Sequence, residues 1–353
     1  MSKIKVLIID DSAVVRGVLS RAINAQPDME VIAVAADPVL AMERIRLNPP
    51  DVITLDVEMP RMTGLEFLAK LMSVRPLPVV MVSSLTERGA DTTMQALALG
   101  AVDFVAKPTV LADGGLEAYA DEIADKVRAA ALSRPVRRSM RQDAQPVPAA
   151  GAVPRDRLQK VGTRGRDLIV IGASTGGVEA LRQVLETLPV DVPPLLIAQH
   201  MPGGFTKTFA QRLDTLCGIA VKEAEDGEAL RPGNAYLAPG GRHLLAVRGG
   251  KGLVARVTDD DPVNRHRPSV DVLFRSAAQL RGGACIGVML SGMGADGALA
   301  MADLRAAGSY NVAQNEATCV VFGMPKQAIA AGAVHEVLAL RDIAPRLVEL
   351  ARK

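Results

Sequence analysis

A chain of 353 residues, 49% of them apolar, is long enough for two globular domains that each bury their own core. Its 41 basic residues are balanced by 39 acidic ones, so no cationic excess is left to grip nucleic acid, and aromatics at 3% offer few rings for base stacking. No apolar run approaches the roughly 20 residues that span a bilayer. The run in MSKIKVLIIDDS is too short for a signal peptide and meets carboxylates at once. Cys217, Cys285 and Cys319 lie far apart and form neither a disulfide framework nor a metal motif. These features predict a cytoplasmic protein that neither binds nucleic acid nor inserts into a membrane.

In the first half, strand-like runs at 5–9, 31–35, 52–55, 79–83 and 103–105 alternate with helical patterns such as 13–24, 38–48 and 90–99. Five βα units of this length predict a parallel sheet with helices on both faces. Ligands of such sheets gather at the carboxyl ends of the strands. There the sequence places Asp10 and Asp11 after the first strand, Asp56 after the third, Ser83 at the end of the fourth and Lys107 after the fifth. Three carboxylates on one rim repel each other unless a cation neutralises them, and a hard, oxygen-seeking Mg²⁺ suits such a site. Ser83 and Lys107 are placed to contact phosphoryl oxygens.

This set, together with Asp56-x-x-Met59-Pro60, Gly64 behind it and Lys107-Pro108, resembles a two-component receiver domain over residues 1–132. The resemblance implies that Asp56 accepts a phosphoryl group from a histidine kinase while Asp10 and Asp11, with Asp56, hold Mg²⁺. It implies that Ser83 stands where many receivers carry threonine, and that Phe104 occupies the position of a switching aromatic. Residues 133–165 combine proline, alanine and glycine with eight basic residues and read as a flexible basic connector.

The second half is organised around 167–177, DLIVIGASTGG: an apolar run that breaks into glycines around Ser174 before a helical pattern. Gly172-x-Ser174-x-Gly176 matches the strained turn that presents a serine nucleophile. The same glycines loosely resemble a dinucleotide-binding turn, which would make this half a phosphorylation-controlled nucleotide-binding module with a non-catalytic output. The next strand-like run, 195–198, leads to Gln199-His200, where a dinucleotide site would want an acid. A third run, 285–290, leads into SGMGADG, which carries Asp296. A parallel sheet would bring Ser174, His200 and Asp296 to one rim, with His200 as the base that takes the serine proton and Asp296 holding its tautomer. Glycines around Met293 free backbone N–H groups for an oxyanion. The order Ser, His, Asp differs from that of α/β-hydrolases.

GASTGG, AQHMPGGFT, APGGRHL, HRPSVDVLF, SGMGADG and NEATCVVFGMP closely resemble the chemotaxis protein-glutamate methylesterases across 166–350. The resemblance implies a triad of Ser174, His200 and Asp296, a backbone oxyanion donor at Met293, and Thr175 lining the site. It also implies methyl-ester hydrolysis and glutamine deamidation on chemoreceptors, with no cofactor for the hydrolase site. The expected architecture is thus α/β, with two doubly wound parallel-sheet domains. These are a (βα)5 receiver at 1–132 and, beyond the linker, a larger methylesterase domain at 166–353. Three short runs at 234–238, 244–248 and 253–256 predict an antiparallel hairpin addition at the sheet edge. His243 is expected to be structural there, and His266 either borders the cleft or joins a surface charge cluster. Asp271, at a helix start, is the weaker alternative to Asp296, and His335 has no identifiable partner.

Overall fold

The computed structural model describes residues 3–107, 115–133, 166–280 and 285–352. The first domain runs β1 (Ile4–Ile9), α1 (Ala13–Asn24), β2 (Met29–Ala35), α2 (Pro38–Leu47), β3 (Val52–Asp56), α3 (Gly64–Val74), β4 (Val79–Ser83), α4 (Glu87–Leu99), β5 (Asp103–Ala106) and α5 (Gly115–Leu132). All four strand pairings are parallel, in the order β2-β1-β3-β4-β5. Every residue of β3 and β4 is buried, as sandwiching between two helical layers requires. Helix starts carry their own signals: Ser12 caps α1, and Thr63 with Glu66 closes a capping box on α3. The chain leaves β1 towards β2 and returns to β3 on its other side. That reversal opens a crevice at the strand ends that carry Asp10 and Asp56.

The second domain contains β6 (Leu168–Ala173), α6 (Gly177–Glu186), β7 (Leu195–Gln199), α7 (Phe205–Leu216), β8 (Ala220–Glu223), β9 (Asn234–Leu237), β10 (His243–Gly249), β11 (Gly252–Thr258) and α8 (Val270–Ala278). It continues with β12 (Cys285–Met289), α9 (Ala298–Ala306), β13 (Tyr310–Gln314), α10 (Met324–Ala330), β14 (Glu336–Leu338) and α11 (Leu340–Ala351). Seven parallel strands lie in the order β14-β13-β12-β6-β7-β9-β8. β6 has β7 on one side and β12 on the other, so the reversal of strand order falls where Ser174 leaves the sheet.

The expected antiparallel hairpin is present, but its membership and place differ from expectation. Of the three runs, β10 and β11 pair antiparallel and form a separate two-stranded sheet; β9 is an interior parallel strand of the main sheet. The hairpin covers a face rather than extending an edge: Leu244 and Ala246 share a buried cluster with Leu196, Ala198 and Phe274. A four-residue apolar run reads the same whichever way its partner points, because only the connection decides direction.

Both domains contribute to one continuous apolar core, from Leu7, Ile53 and Met81 to Ile171, Ile197 and Phe205. The basic segment of the expected linker, 134–165, lies outside the described residues.

Candidate active site and phosphoacceptor site

The ladders β12–β6–β7 extend into the loops and lock them together. His200 N donates to Ala173 O at 3.1 Å, Ser174 N to Ser291 O at 3.0 Å, and Leu290 N to Gly172 O at 2.9 Å. Ser174, half-buried, begins the turn into α6. The turn is not the strained elbow expected from Gly172-x-Ser174-x-Gly176: the left-handed residue is Gly176, φ 78°, and Ser174 keeps negative φ. On the facing loop, a side chain at Gly292 would lie 2.8 Å from Ser174 Cβ, so only glycine lets the two loops approach this closely. Met293 follows, and its N–H donates to no group among the described residues.

His200 Nε2 lies 2.9 Å from Asp296 Oδ2, while its Nδ1 is buried with no partner among the described residues. Asp296, itself buried, also accepts hydrogen bonds from Asn264 Nδ2 (2.8 Å), Ser269 Oγ (2.9 Å), Val270 N (2.6 Å) and Asp271 N (3.3 Å). Burial opposes its ionisation, but the bonds from His200, Asn264 and the Val270 amide outweigh that and hold its pKa well below the usual carboxylate range. A carboxylate can only accept, so Nε2 carries a proton, and in the neutral imidazole the free lone pair is then on Nδ1. No hydrogen bond joins Ser174 Oγ to His200 among the described residues.

Gln199, Asn264, Ser269 and His266 take parts that sequence reasoning did not give them. Gln199 Nε2 donates to the carbonyls of both Ser174 and His200, each at 3.1 Å, and so ties the two loops together. His266 stacks on His200. Arg265 and Arg267, on either side of His266, diverge. Arg267 bonds the carbonyls of Asp259 and Asp260, and Arg265 reaches Asp121 and Asp125 on α5 of the first domain. Asp271 does not meet His200; it accepts from Asn264 and Gly297 N. His243 is structural, held by Asp261 O and Ser269 N. His335 has a partner after all: Nδ1 accepts from Asn311 N at 3.0 Å and the ring stacks on Tyr310.

On the other rim, ligand oxygens of Asp10, Asp11 and Asp56 lie within 4.8 Å of one another. Lys107 Nζ bonds Asp56 Oδ2 at 2.8 Å and lies 3.9 Å from Asp10 Oδ2, which is buried without a hydrogen bond. Burial raises the Asp56 pKa to about 6; Lys107 opposes the rise and Asp10 adds to it. An all-oxygen donor set with an orphaned buried oxygen fits a hard divalent cation such as Mg²⁺. Ser83 lies at the same rim, but its hydroxyl donates to Gly89 O at 3.1 Å and not towards Asp56.

The two rims are not independent. Phe104 on β5 is buried against Phe205 at the start of α7, ring centroids 4.5 Å apart. Next to it, Asp103 Oδ2 accepts the Thr175 hydroxyl at 2.5 Å, so the residue beside Ser174 is bound to the first domain. Ser174 opens into a cavity of about 250 Å³ between the domains, lined on the far side by Leu97, Ala101, Val102 and Asp103.

The family model for CheB methylesterase matches residues 169–347, and that for the response regulator receiver domain matches residues 6–114. The protein-glutamate methylesterase/protein-glutamine glutaminase of Thiobacillus denitrificans is 57% identical over 347 residues, 98% of this chain and 96% of its own. That of Nitrosomonas europaea is 57% identical over 351 residues, 99% of this chain and 96% of its own. Among solved structures, the catalytic domain of the Thermotoga maritima CheB methylesterase is 40% identical with a TM-score of 0.51, covering 53% of this chain and 100% of that one. These likenesses, and an imidazole committed to Asp296 where a ribose would need an acid, give no support to a nucleotide-binding module.

Proposed function

We infer the reaction from one premise: the chain belongs to the CheB methylesterase family and carries a response regulator receiver domain before its catalytic domain. It is a protein-glutamate methylesterase and protein-glutamine glutaminase of bacterial chemotaxis. Its substrates are γ-glutamyl methyl esters and glutamines of chemoreceptors, and a histidine kinase phosphorylates its receiver. Residues 1–132 form the receiver, 133–165 the connector and 166–353 the hydrolase. Among the described residues, no helix is long and apolar enough to cross a membrane, and the protein works from the cytoplasm.

The observation that carries the mechanism is the buried, unpartnered Nδ1 of His200 opposite its bond to Asp296. Ser174 Oγ attacks the ester carbonyl as Nδ1 takes its proton, and the oxyanion forms against the Met293 N–H. Collapse breaks the bond to the methoxy group, which leaves as methanol with the proton from His200. Water, deprotonated by the same nitrogen, then cleaves the acyl-enzyme to a glutamate carboxylate. For glutamine the leaving group is ammonia. Asp296 stays ionised throughout and stabilises the imidazolium. The hydroxyl of Thr175 lines the site and is the group that the receiver occupies.

In the receiver, Asp10, Asp11 and Asp56 would hold Mg²⁺, which when bound offsets the charge of the carboxylates and the phosphoryl group. Asp56 is the acceptor and Lys107 its cationic neighbour. Ser83 supplies a hydroxyl at the same rim, and Phe104 couples that rim to Phe205. Chelating divalent cations with EDTA is expected to stop phosphorylation of Asp56 and leave basal methanol release unchanged. Loss of both would place a metal in the hydrolase as well.

The docked receiver restricts access. A receptor helix is about 10 Å across, and a cavity of about 250 Å³ beside Ser174 has no room for one. Removing residues 1 to about 150 is therefore expected to raise basal methanol release; a truncated enzyme no faster than the unphosphorylated full chain would rule occlusion out. The discriminating assay for the whole reading is methanol release from methylated receptor with and without a small phosphodonor.

A further inference from the structure

Arg265 lies in the loop between β11 and α8, next to the histidine that stacks on His200. Its backbone is left-handed (φ 66°), as is that of Asn264 before it (φ 53°). Non-glycine residues adopt this conformation only where their surroundings impose it, and such positions cluster at functional sites. Here Val263 and His266 exchange two backbone hydrogen bonds (3.1 and 2.9 Å), and Asn264 Nδ2 fastens the loop to Asp296 Oδ1 at 2.8 Å. The loop is thus pinned to the triad, while the Arg265 side chain stands out from it, 72% exposed. Its guanidinium forks towards the receiver: Nη1 lies 3.6 Å from Asp121 Oδ2 and Nη2 lies 3.4 Å from Asp125 Oδ2. These carboxylates are four residues apart on α5, one above the other on the same face of the helix. The next residue of α5, Lys126, bonds the Asp103 carboxylate that holds Thr175, so this helix runs along the rim of the hydrolase.

We propose that Arg265 is a substrate-recognition residue: it binds carboxylates spaced one turn apart on the receptor helix, and α5, with Asp121 and Asp125 in that spacing, takes their place while the receiver is docked. The inference rests on the receptor being the substrate. Ion pairs as long and as exposed as these add little to docking, which has the Phe104–Phe205 contact and the Asp103–Thr175 bond to hold it. A loop held in a strained conformation to present a cation therefore needs another reason, and the substrate supplies one. Each turnover leaves a glutamate carboxylate, so a helix that bears several modification sites presents carboxylates beside the ester still to be cleaved. Guanidinium is the group suited to them, because its fork meets two carboxylate oxygens at once. The acidic face of α5 then acts as a stand-in for the product-rich face of the receptor, and undocking frees Arg265 for the receptor itself.

The test uses the full-length protein with saturating small phosphodonor and methylated receptor, reading methanol release at two ionic strengths. Arg265→Asn removes the charge and tolerates a left-handed backbone. It is expected to raise KM about fivefold at low salt with kcat within about twofold of wild type. Arg265→Glu should raise KM about tenfold or more, and Arg265→Lys, which keeps the charge, should stay within about twofold. Added salt should raise the wild-type KM and narrow its gap to Arg265→Asn. A merely structural role would lower kcat and would not follow the sign of the charge. Without phosphodonor, Asp121→Asn combined with Asp125→Asn is expected to release methanol about threefold faster than wild type, because the rival for Arg265 has lost its charge. Three results would overturn the proposal: a wild-type KM in Arg265→Glu, an equal rise in KM for the lysine and glutamate variants, or an unphosphorylated double variant no faster than wild type. Thermal melting reports folding. If the Arg265 variants do not fold, the double variant decides alone. Wild-type protein that releases no methanol from the receptor would sink the methylesterase reading itself; release by wild type with an unchanged KM in Arg265→Glu would sink only the recognition role.

Discussion

Replacing Ser174 with alanine is expected to lower methanol release by about 10⁴-fold or more while phosphoryl transfer to Asp56 continues at the wild-type rate. The substitution should also be nearly silent in stability. Ser174 is half-buried and its hydroxyl makes no hydrogen bond among the described residues, so its removal strands no partner. Its backbone, bonded to Ser291 O and to Gly177 N, keeps the turn in place whatever the side chain. The two readouts separate chemistry from switching: methanol release reports the nucleophile, and phosphorylation of Asp56 reports the receiver. Hydrolysis retained at more than a few per cent would mean that another group attacks the ester.

The placement of Ser174 also shows why phosphorylation can matter to a site in another domain. Three relevant residues lie on β5 or directly after it. Asp103 holds Thr175, Phe104 packs on Phe205, and Lys107, just past the strand, bonds Asp56. A phosphoryl group on Asp56, as proposed, would compete for Lys107 at one end of a segment whose other end grips the hydrolase rim. Shifting a docked population from 99:1 to 1:99 needs about 5.5 kcal/mol of differential stability. A displaced ring pair together with one charge-assisted hydrogen bond is of the right order to supply much of it.

How much of this was legible in the sequence depends on what each residue acts through. That Ser174, His200 and Asp296 lie along one rim was legible because each follows a buried parallel strand, and strand ends of one sheet share a rim. The receiver carboxylates were legible for the same reason. Gln199, Asn264 and Ser269 were not, because their roles are set by where a loop returns and no short-range periodicity encodes that. Gln199 stood next to His200 in a segment already singled out, yet a glutamine ending a strand has many possible partners. His266 was seen as a cleft residue or part of a charge cluster; the stack depends on Asn264 and Arg265 adopting left-handed conformations that their types only weakly signal. The interior position of β9 was missed because a short apolar run carries no record of its neighbours.

Changing Asp296 to asparagine tests the electrostatic half of the triad, and a loss of about 10⁴ in kcat is expected, on the scale of the equivalent change in other serine triads. Five donors converge on the two oxygens of Asp296: His200 Nε2, Asn264 Nδ2, Ser269 Oγ and the amides of Val270 and Asp271. Asparagine offers one acceptor oxygen. If that oxygen takes the place of Oδ1 and keeps Asn264, Ser269 and the Asp271 amide, the NH₂ faces both His200 and the Val270 N–H; it demands an acceptor at Nε2, which moves the imidazole proton to Nδ1 and leaves nothing to receive the serine proton. If the amide turns the other way, the oxygen keeps His200 and the Val270 N–H, but Asn264 Nδ2 and the Asp271 N–H are left facing a donor and the start of α8 is destabilised. Stability against acid separates the two contributions. The folded pKa of Asp296 lies below its unfolded value of about 3.9. Its stabilising effect is therefore complete above that pH and is lost as the pH falls through the lower, folded value. The gap in melting temperature between wild type and Asp296→Asn should accordingly be widest near neutrality and narrow in strong acid. A gap independent of pH would show that the carboxylate charge contributes nothing to folding, and wild-type turnover in the variant would remove Asp296 from the triad.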